Sequence, residues 1–174
     1  MVPEWVKIAA AMFLPNFGAV AGQRLTRKTY RRDMWYKALK KPFFCPPSWV
    51  FGPAWIGLYS SMGYASYLVW RDGGGFSGRA ATPLALYSTQ LAMNWAWSHI
   101  FFGAKMVGLA ELELIALVGA ATVTALSFKP INATAYRLML PYLAWLAFAS
   151  VSIFEIWRLN RKGRRAELED RKDG

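Results

Sequence analysis

Five nearly uncharged stretches, separated by charged connections, constrain this chain more than any other feature. They run from Ile8 to Gln23, Ser48 to Trp70, Ala80 to Ala104, Leu114 to Phe128 and Leu138 to Phe154. A helix crosses the hydrocarbon of a bilayer in about 20 residues, so each stretch is of spanning length or becomes so with its flank. The pattern predicts helices over about 5–24, 47–70, 80–104, 108–128 and 134–158. The expected fold class is an all-α membrane protein, a bundle of five transmembrane helices over 1–160 with a charged cytosolic tail over 161–174. Composition agrees: 55% of the 174 residues are apolar and 16% aromatic, beside a formal charge of +11. Soluble domains rarely combine those traits.

A chain this basic could bind nucleic acid, so the placement of its charge has to decide. Eight basic residues (Arg24, Arg27, Lys28, Arg31, Arg32, Lys37, Lys40 and Lys41) lie in the first connection, and seven (Arg158, Arg161, Lys162, Arg164, Arg165, Arg171 and Lys172) lie at the C-terminal end. Both groups border apolar runs, which is a juxtamembrane pattern and argues against a nucleic-acid partner. With five spans, the first connection, the third connection and the C-terminus share a face. The opposite face carries only Lys7, Arg71, Arg79, Lys129 and Arg137. The positive-inside bias then places the C-terminus and the 24–48 loop in the cytosol. The tail alternates basic and acidic residues and is expected to fray, while Arg158 to Arg165 can grip anionic membrane lipids. The first stretch reads as a retained helix, because no small-x-small cleavage site follows it. Pro15 should kink that helix, and the Asn16 amide must find a partner inside the bundle.

Cys45 is the only cysteine and His99 the only histidine. An internal disulfide and a multi-ligand metal site are both excluded, and no metal or cofactor is expected. Phosphate-binding glycine loops, a serine elbow and metal-spaced clusters are missing from the sequence, and Gly73-Gly74-Gly75 reads as a flexible turn. Trp5, Trp49, Trp70 and Trp157 fall at predicted helix ends, where indoles favour the headgroup level. Trp55, Trp95, Trp97 and Trp145 fall within or near the spans and are candidates to line a ligand.

Polar residues at membrane depth turn inward, so Gln90, Asn94 and Trp97 at i, i+4 and i+7 suggest either interhelical hydrogen bonds or the floor of a ligand pocket. On the second span Gly57, Ser61 and Ala65 predict a close helix approach, with Trp55 and Tyr59 on an adjoining stripe. Glu111 and Glu113 open the fourth span and point to nearly opposite sides. They make a poor acid/base couple, and at least one is expected to be solvated or to cap the helix. Glu155 can pair with Arg158 at i+3.

The run Lys41-Pro42-Phe43-Phe44-Cys45-Pro46-Pro47-Ser48-Trp49, followed by Pro53-Ala54-Trp55, Leu58-Tyr59 and Met62-Gly63, resembles the translocator protein family, also called tryptophan-rich sensory proteins. So do Asn94-Trp95-Ala96-Trp97, Phe101-Phe102-Gly103-Ala104 and the run from Pro141 to Ala149. The animal, mitochondrial branch is the most similar. The resemblance implies a multi-pass bundle in the mitochondrial outer membrane, frequently a homodimer, with a pocket opening toward the cytosolic loop. It implies cholesterol or another sterol, porphyrins including haem and protoporphyrin IX, and benzodiazepine-type drugs as ligands. By matching position the first span offers Gln23 and Thr26, and the second Trp49, Phe51, Gly52 and Trp55. The third offers Trp95, the fourth Leu109, Leu112 and Ala116, and the fifth Trp145, Ala149 and Ser152.

Two positions depart from the mammalian branch. Leu109 replaces a tryptophan and Gln23 an alanine, and losing an indole removes a stacking surface worth about 0.5 to 1.5 kcal/mol, which should weaken drug binding. A sterol-recognition segment near the end of the fifth span implies contacts at Val151, Phe154 and Arg158, with Phe154 standing where the strict pattern needs tyrosine. Bacterial relatives are associated with light-dependent porphyrin breakdown, which would make Trp55 a catalytic residue. That enzyme reading and a scaffold for partner proteins are the alternatives to a binding and translocation protein.

Overall fold

A computed structural model describes residues 3–32 and 35–170, excepting the side chains at 19, 21–32, 48 and 162–170. The chain is all-helical, with no strand among the described residues. Its helices are α1 (Glu4–Arg32), the short α2 (Trp35–Ala38), α3 (Ser48–Asp72), α4 (Ala81–Ser98), α5 (Val107–Phe128) and α6 (Ala133–Asp170). A π turn, His99–Gly103, continues α4, and a 3-10 turn, Gly75–Ser77, follows α3.

Local chemistry sets most of these ends. Pro47, at φ −56° and ψ 145°, is the extended residue from which α3 departs. The Gly73 N–H donates to the Val69 carbonyl at 2.9 Å, and Gly74 and Gly75 take φ of 83° and 74°. That region is open to glycine at little cost, so the triplet forms the expected turn. At the start of α6, Asn132 Oδ1 accepts the Ala135 N–H at 2.8 Å as a side-chain cap.

Two helices outrun their apolar stretches. α1 continues to Arg32 rather than ending near 24, and α6 continues to Asp170 where a frayed tail was expected from 161. Arg, Lys, Leu and Glu are good helix formers, and leaving the apolar zone removes no backbone hydrogen bond.

α1 packs on α3, α3 on α6, α6 on α5 and α5 on α4. Met62, Phe101, Leu117, Phe128, Met139, Tyr142 and Leu146 are fully buried where these helices meet. α1 and α3 approach closely at Gly63, where a Cβ would lie 2.4 Å from the Ala11 carbonyl oxygen. The small-residue stripe read from the sequence fails only at Gly57, since Ala65 is fully buried and Ser61 reaches the α6 backbone. Nothing lies within 4 Å of a Cβ at Gly57, while Ser61 donates to the Leu138 carbonyl of α6 at 2.9 Å. As expected, the Asn16 amide finds partners, donating to Met12 O at 2.9 Å and to Ser60 Oγ at 3.2 Å.

Two side-chain clasps tie the chain to α6 at opposite ends. At one, Asn132 Nδ2 donates to Asp72 at 2.6 Å, and Asp72 also accepts from Arg71 at 2.6 Å. These donors hold the Asp72 carboxyl below the ordinary carboxylate range. At the other, Asn160 brackets the Lys40 peptide, donating to its carbonyl at 3.0 Å and accepting its N–H at 3.1 Å.

By length and composition, Val107–Phe128 and Ala133–Arg161 can cross a membrane. Five helices reach 18 residues, but this criterion supports two spans rather than five, because α1, α3 and α4 carry prolines, amides, indoles and phenols in place of aliphatic side chains. Large apolar side chains nevertheless face outward, among them Phe13, Leu14 and Phe17 on α1 and Leu112, Ile115, Val123 and Leu126 on α5. Water would penalise so much exposed apolar surface, and lipid does not.

Candidate ligand-binding site

Helical periodicity builds an aromatic cluster between α3 and α6. Phe51, Trp55 and Tyr59 recur every four residues on α3, and Tyr142, Trp145 and Phe148 every three on α6, so each set forms one stripe. The Trp55 ring stacks on Tyr59 with centroids 5.1 Å apart. It meets Tyr142 at 6.4 Å and Trp145 at 6.5 Å, both edge-on. Trp145 in turn meets Phe51 at 5.8 Å and Phe148 at 5.9 Å. Such edge and offset contacts are the favoured geometry of ring quadrupoles.

A directed hydrogen-bond chain underlies these rings. Tyr59 O–H donates to Asn94 Oδ1, Asn94 Nδ2 donates to the Tyr142 oxygen at 2.8 Å, and Tyr142 O–H donates to Gln90 Oε1 at 2.9 Å. The two amides predicted to face inward therefore join α3, α4 and α6. Trp97, on the same predicted face, instead donates to the Ala110 carbonyl at 3.1 Å and stacks on Phe101 at 4.9 Å.

Polar atoms around this chain stay unpaired. Gln90 Nε2, Trp145 Nε1 and both carboxylate oxygens of Glu113 are buried without a hydrogen-bond partner, as is one oxygen of Glu111. The other Glu111 oxygen accepts from Ser150 at 2.8 Å. Neither glutamate is the solvated or capping residue expected from the sequence, because α5 already begins at Val107, which puts both in its second turn, past the capping positions.

The connection between α1 and α3 lies across the α6 end of the cluster. Trp35 and Tyr36 of α2 pack edge-on against Phe101 at 5.8 and 6.1 Å, and Lys41 sits over the Tyr36 ring at 4.3 Å. Phe44 reaches Phe148 at 6.3 Å, and the Asn160 clasp on Lys40 fixes the segment from the other side. Burial pushes the Cys45 thiol up from its ordinary value, partly opposed by Lys41.

The expected site residues divide into groups. Phe51, Trp55 and Trp145 meet in the cluster. Gly52 is half-buried with no neighbour where a Cβ would stand, and Ala149 is half-buried on α6. Ser152 is buried and donates to the Phe148 carbonyl at 2.9 Å. Trp49 is 74% exposed. Leu109, Leu112 and Ala116 lie on exposed parts of α5. Trp95 lies against α1, donating to the Pro15 carbonyl at 3.3 Å with its ring over Gly18. Val151 and Phe154 are exposed on α6, and Arg158 makes the expected pair with Glu155 at 2.7 Å. Gln23 and Thr26 have side chains outside the described residues.

Tyr142 and Phe148 lie in the family-like run from Pro141 to Ala149 but were not among the expected pocket residues, although Tyr142 stands three residues before Trp145. Among the described residues no group of three or more His, Cys, Asp or Glu side chains could hold a metal ion.

Residues 11–158 match the model of the TspO/MBR family. The chain is 46% identical to the translocator protein of Homo sapiens over 168 residues, covering 95% of this chain and 98% of that protein. It is 47% identical over 146 residues to translocator protein 2 of Canis lupus familiaris, covering 83% and 84%. With the tryptophan-rich protein TspO of Archaeoglobus fulgidus it shares 39% identity over 155 residues, covering 89% and 97%.

Proposed function

We propose, from the premise that this chain belongs to the TspO/MBR family, that it is a five-span membrane protein binding and translocating flat hydrophobic ligands, namely cholesterol and porphyrins such as protoporphyrin IX and haem. The observation that carries this reading is the pair of facing aromatic stripes, Phe51-Trp55-Tyr59 and Tyr142-Trp145-Phe148, over the Tyr59–Asn94–Tyr142–Gln90 chain. Aromatic faces with a few fixed polar groups are what a flat, mostly apolar ligand requires.

The five spans are α1, α3, α4 with its π turn, α5 and α6. The basic α1–α3 connection and the C-terminus face the cytosol, in the mitochondrial outer membrane. Cations over rings at both ends of the bundle support a spanning arrangement with each end at a membrane–water interface, since Lys7 lies 5.1 Å over Trp70 at one end and Arg161 4.9 Å over Trp157 at the other. The exposed α6 stripe of Val151, Phe154 and Arg158 provides a second sterol contact at the lipid boundary. Drug binding is weak, because Leu109 offers no indole.

Purified protein in lipid nanodiscs tests the reading by titration with protoporphyrin IX and with cholesterol. Saturable quenching of tryptophan emission by the porphyrin, reduced about tenfold in affinity by Trp55→Ala, is expected. Linear, non-saturating quenching unaffected by the substitution would count against it.

Trp55 also touches Tyr59, Tyr142 and Trp145, and this continuous set of oxidisable rings favours light-dependent porphyrin breakdown as a second reading. Equal porphyrin bleaching by wild type and Trp55→Phe would remove it.

A further inference from the structure

Glu113 stands on α5 between Leu109 and Ala116 at i, i+4 and i+7, so one helix stripe carries a carboxylate between two expected ligand positions. Both of its oxygens are buried and neither accepts a hydrogen bond. Leaving a buried carboxylate unpaired is among the costliest arrangements a fold can hold, and buried polar groups almost always have partners. Two further groups at the aromatic cluster share the condition. Gln90, 0% exposed, uses its oxygen on Tyr142 and leaves its Nε2 without an acceptor, and the Trp145 indole N–H has none either. Glu113 lies within electrostatic reach of the same Tyr142 hydroxyl that binds Gln90. Unpaired acceptors on α5, both oxygens of Glu113 and one of Glu111, thus accompany two unpaired donors, on α4 and α6. Within the protein these groups do not satisfy one another.

Resting on the sterol and tetrapyrrole reading above, we infer that the ligand presents a hydrogen-bond donor, a hydroxyl or an ammonium, to the Glu113 carboxylate, with its flat apolar body against Trp55 and Trp145. A bond donated to a charged acceptor in a site without water is stronger than a neutral one, and a ligand that only accepts leaves the carboxylate unpaired. Glu113 is then the group that selects among ligands of equal shape.

The test uses three sterols of one shape: cholesterol, its 3β-amino analogue and its 3-methyl ether. Each displaces dehydroergosterol from full-length protein in phosphatidylcholine nanodiscs, read by energy transfer from tryptophan. Wild type should bind the amine and the alcohol at least about tenfold more tightly than the ether. Glu113→Leu should bind all three like the ether, and Glu113→Gln should keep the preference for the alcohol while losing that for the amine. Equal affinities in wild type, or an unchanged order in Glu113→Leu, overturn the assignment while leaving the sterol reading intact. Failure of dehydroergosterol to bind saturably sinks both. Should Glu113→Leu not yield monodisperse protein, the order in wild type and Glu113→Gln decides alone.

Discussion

Tyr142 is the residue on which the interior turns. Fully buried, it accepts from Asn94, donates to Gln90 and presents its ring edge to Trp55, so three helices meet at one phenol. Tyr142→Phe keeps the ring and strands two buried amide groups. The expected loss is about 1 to 2 kcal/mol, since hydrogen bonds inside membrane bundles average about 0.6 kcal/mol each and unpaired partners add to the cost. Thermal unfolding in detergent measures it, and an unchanged midpoint would show the network to be energetically idle. Cys45 makes a second residue-scale case. Its burial favours the neutral thiol, so iodoacetamide should reach half its limiting rate at higher pH than with an exposed cysteine. Lys41→Ala should move that point higher still, because Lys41 favours the thiolate. At this scale Gln90, Asn94, Asn16 and the Glu155–Arg158 pair were legible, because polar groups in apolar runs and i+3 charge pairs have few places to go. Glu111 and Glu113 were not, since their burial depends on where α5 begins relative to α6.

Among the elements, the α1–α3 contact at Gly63 leaves no room for a side chain. Gly63→Ala would put a methyl 2.4 Å from a backbone oxygen that cannot rotate away. Separation of the two helices at a cost of about 1 to 3 kcal/mol is expected, with loss of the Asn16–Ser60 contact. Gly57→Ala, which meets nothing within 4 Å, serves as its control. The clasp between Asn160 and Lys40 holds the connection against α6 through two hydrogen bonds. In Asn160→Ala the 39–47 amides should exchange with solvent faster, while those of α3 and α6 keep their protection; uniform protection would mean that Phe44 and Trp35 suffice. Helix positions followed from the apolar runs. Helix ends did not, because Arg, Lys and Glu continue a helix as readily as they leave a membrane, which is how α1 reached Arg32 and α6 Asp170. The small-residue spacing suggested a close approach but not which glycine makes it, as Gly57 and Gly63 differ only in what α1 brings alongside.

For the whole molecule, basic residues, aromatic rings and apolar surface describe a bundle with two wet ends and a lipid-facing waist. The family followed from ordered motifs spread along the chain, whereas α5 and α6 alone meet a strict span criterion, because the remaining helices spend their surface on rings and amides facing one another. That trade is the link between fold and function: side chains that weaken the membrane signal of α3 are those that form the aromatic cluster. The central claim is that a flat ligand lies inside the bundle, against α3 and α6, rather than on its lipid-facing exterior. Photo-cross-linking with a diazirine sterol in nanodiscs, mapped by mass spectrometry, tests it most directly. Adducts at 51–59 and 142–152 that excess cholesterol suppresses are predicted, beside those on the outer α6 stripe, while adducts only on the outward apolar residues of α1 and α5 would contradict the account.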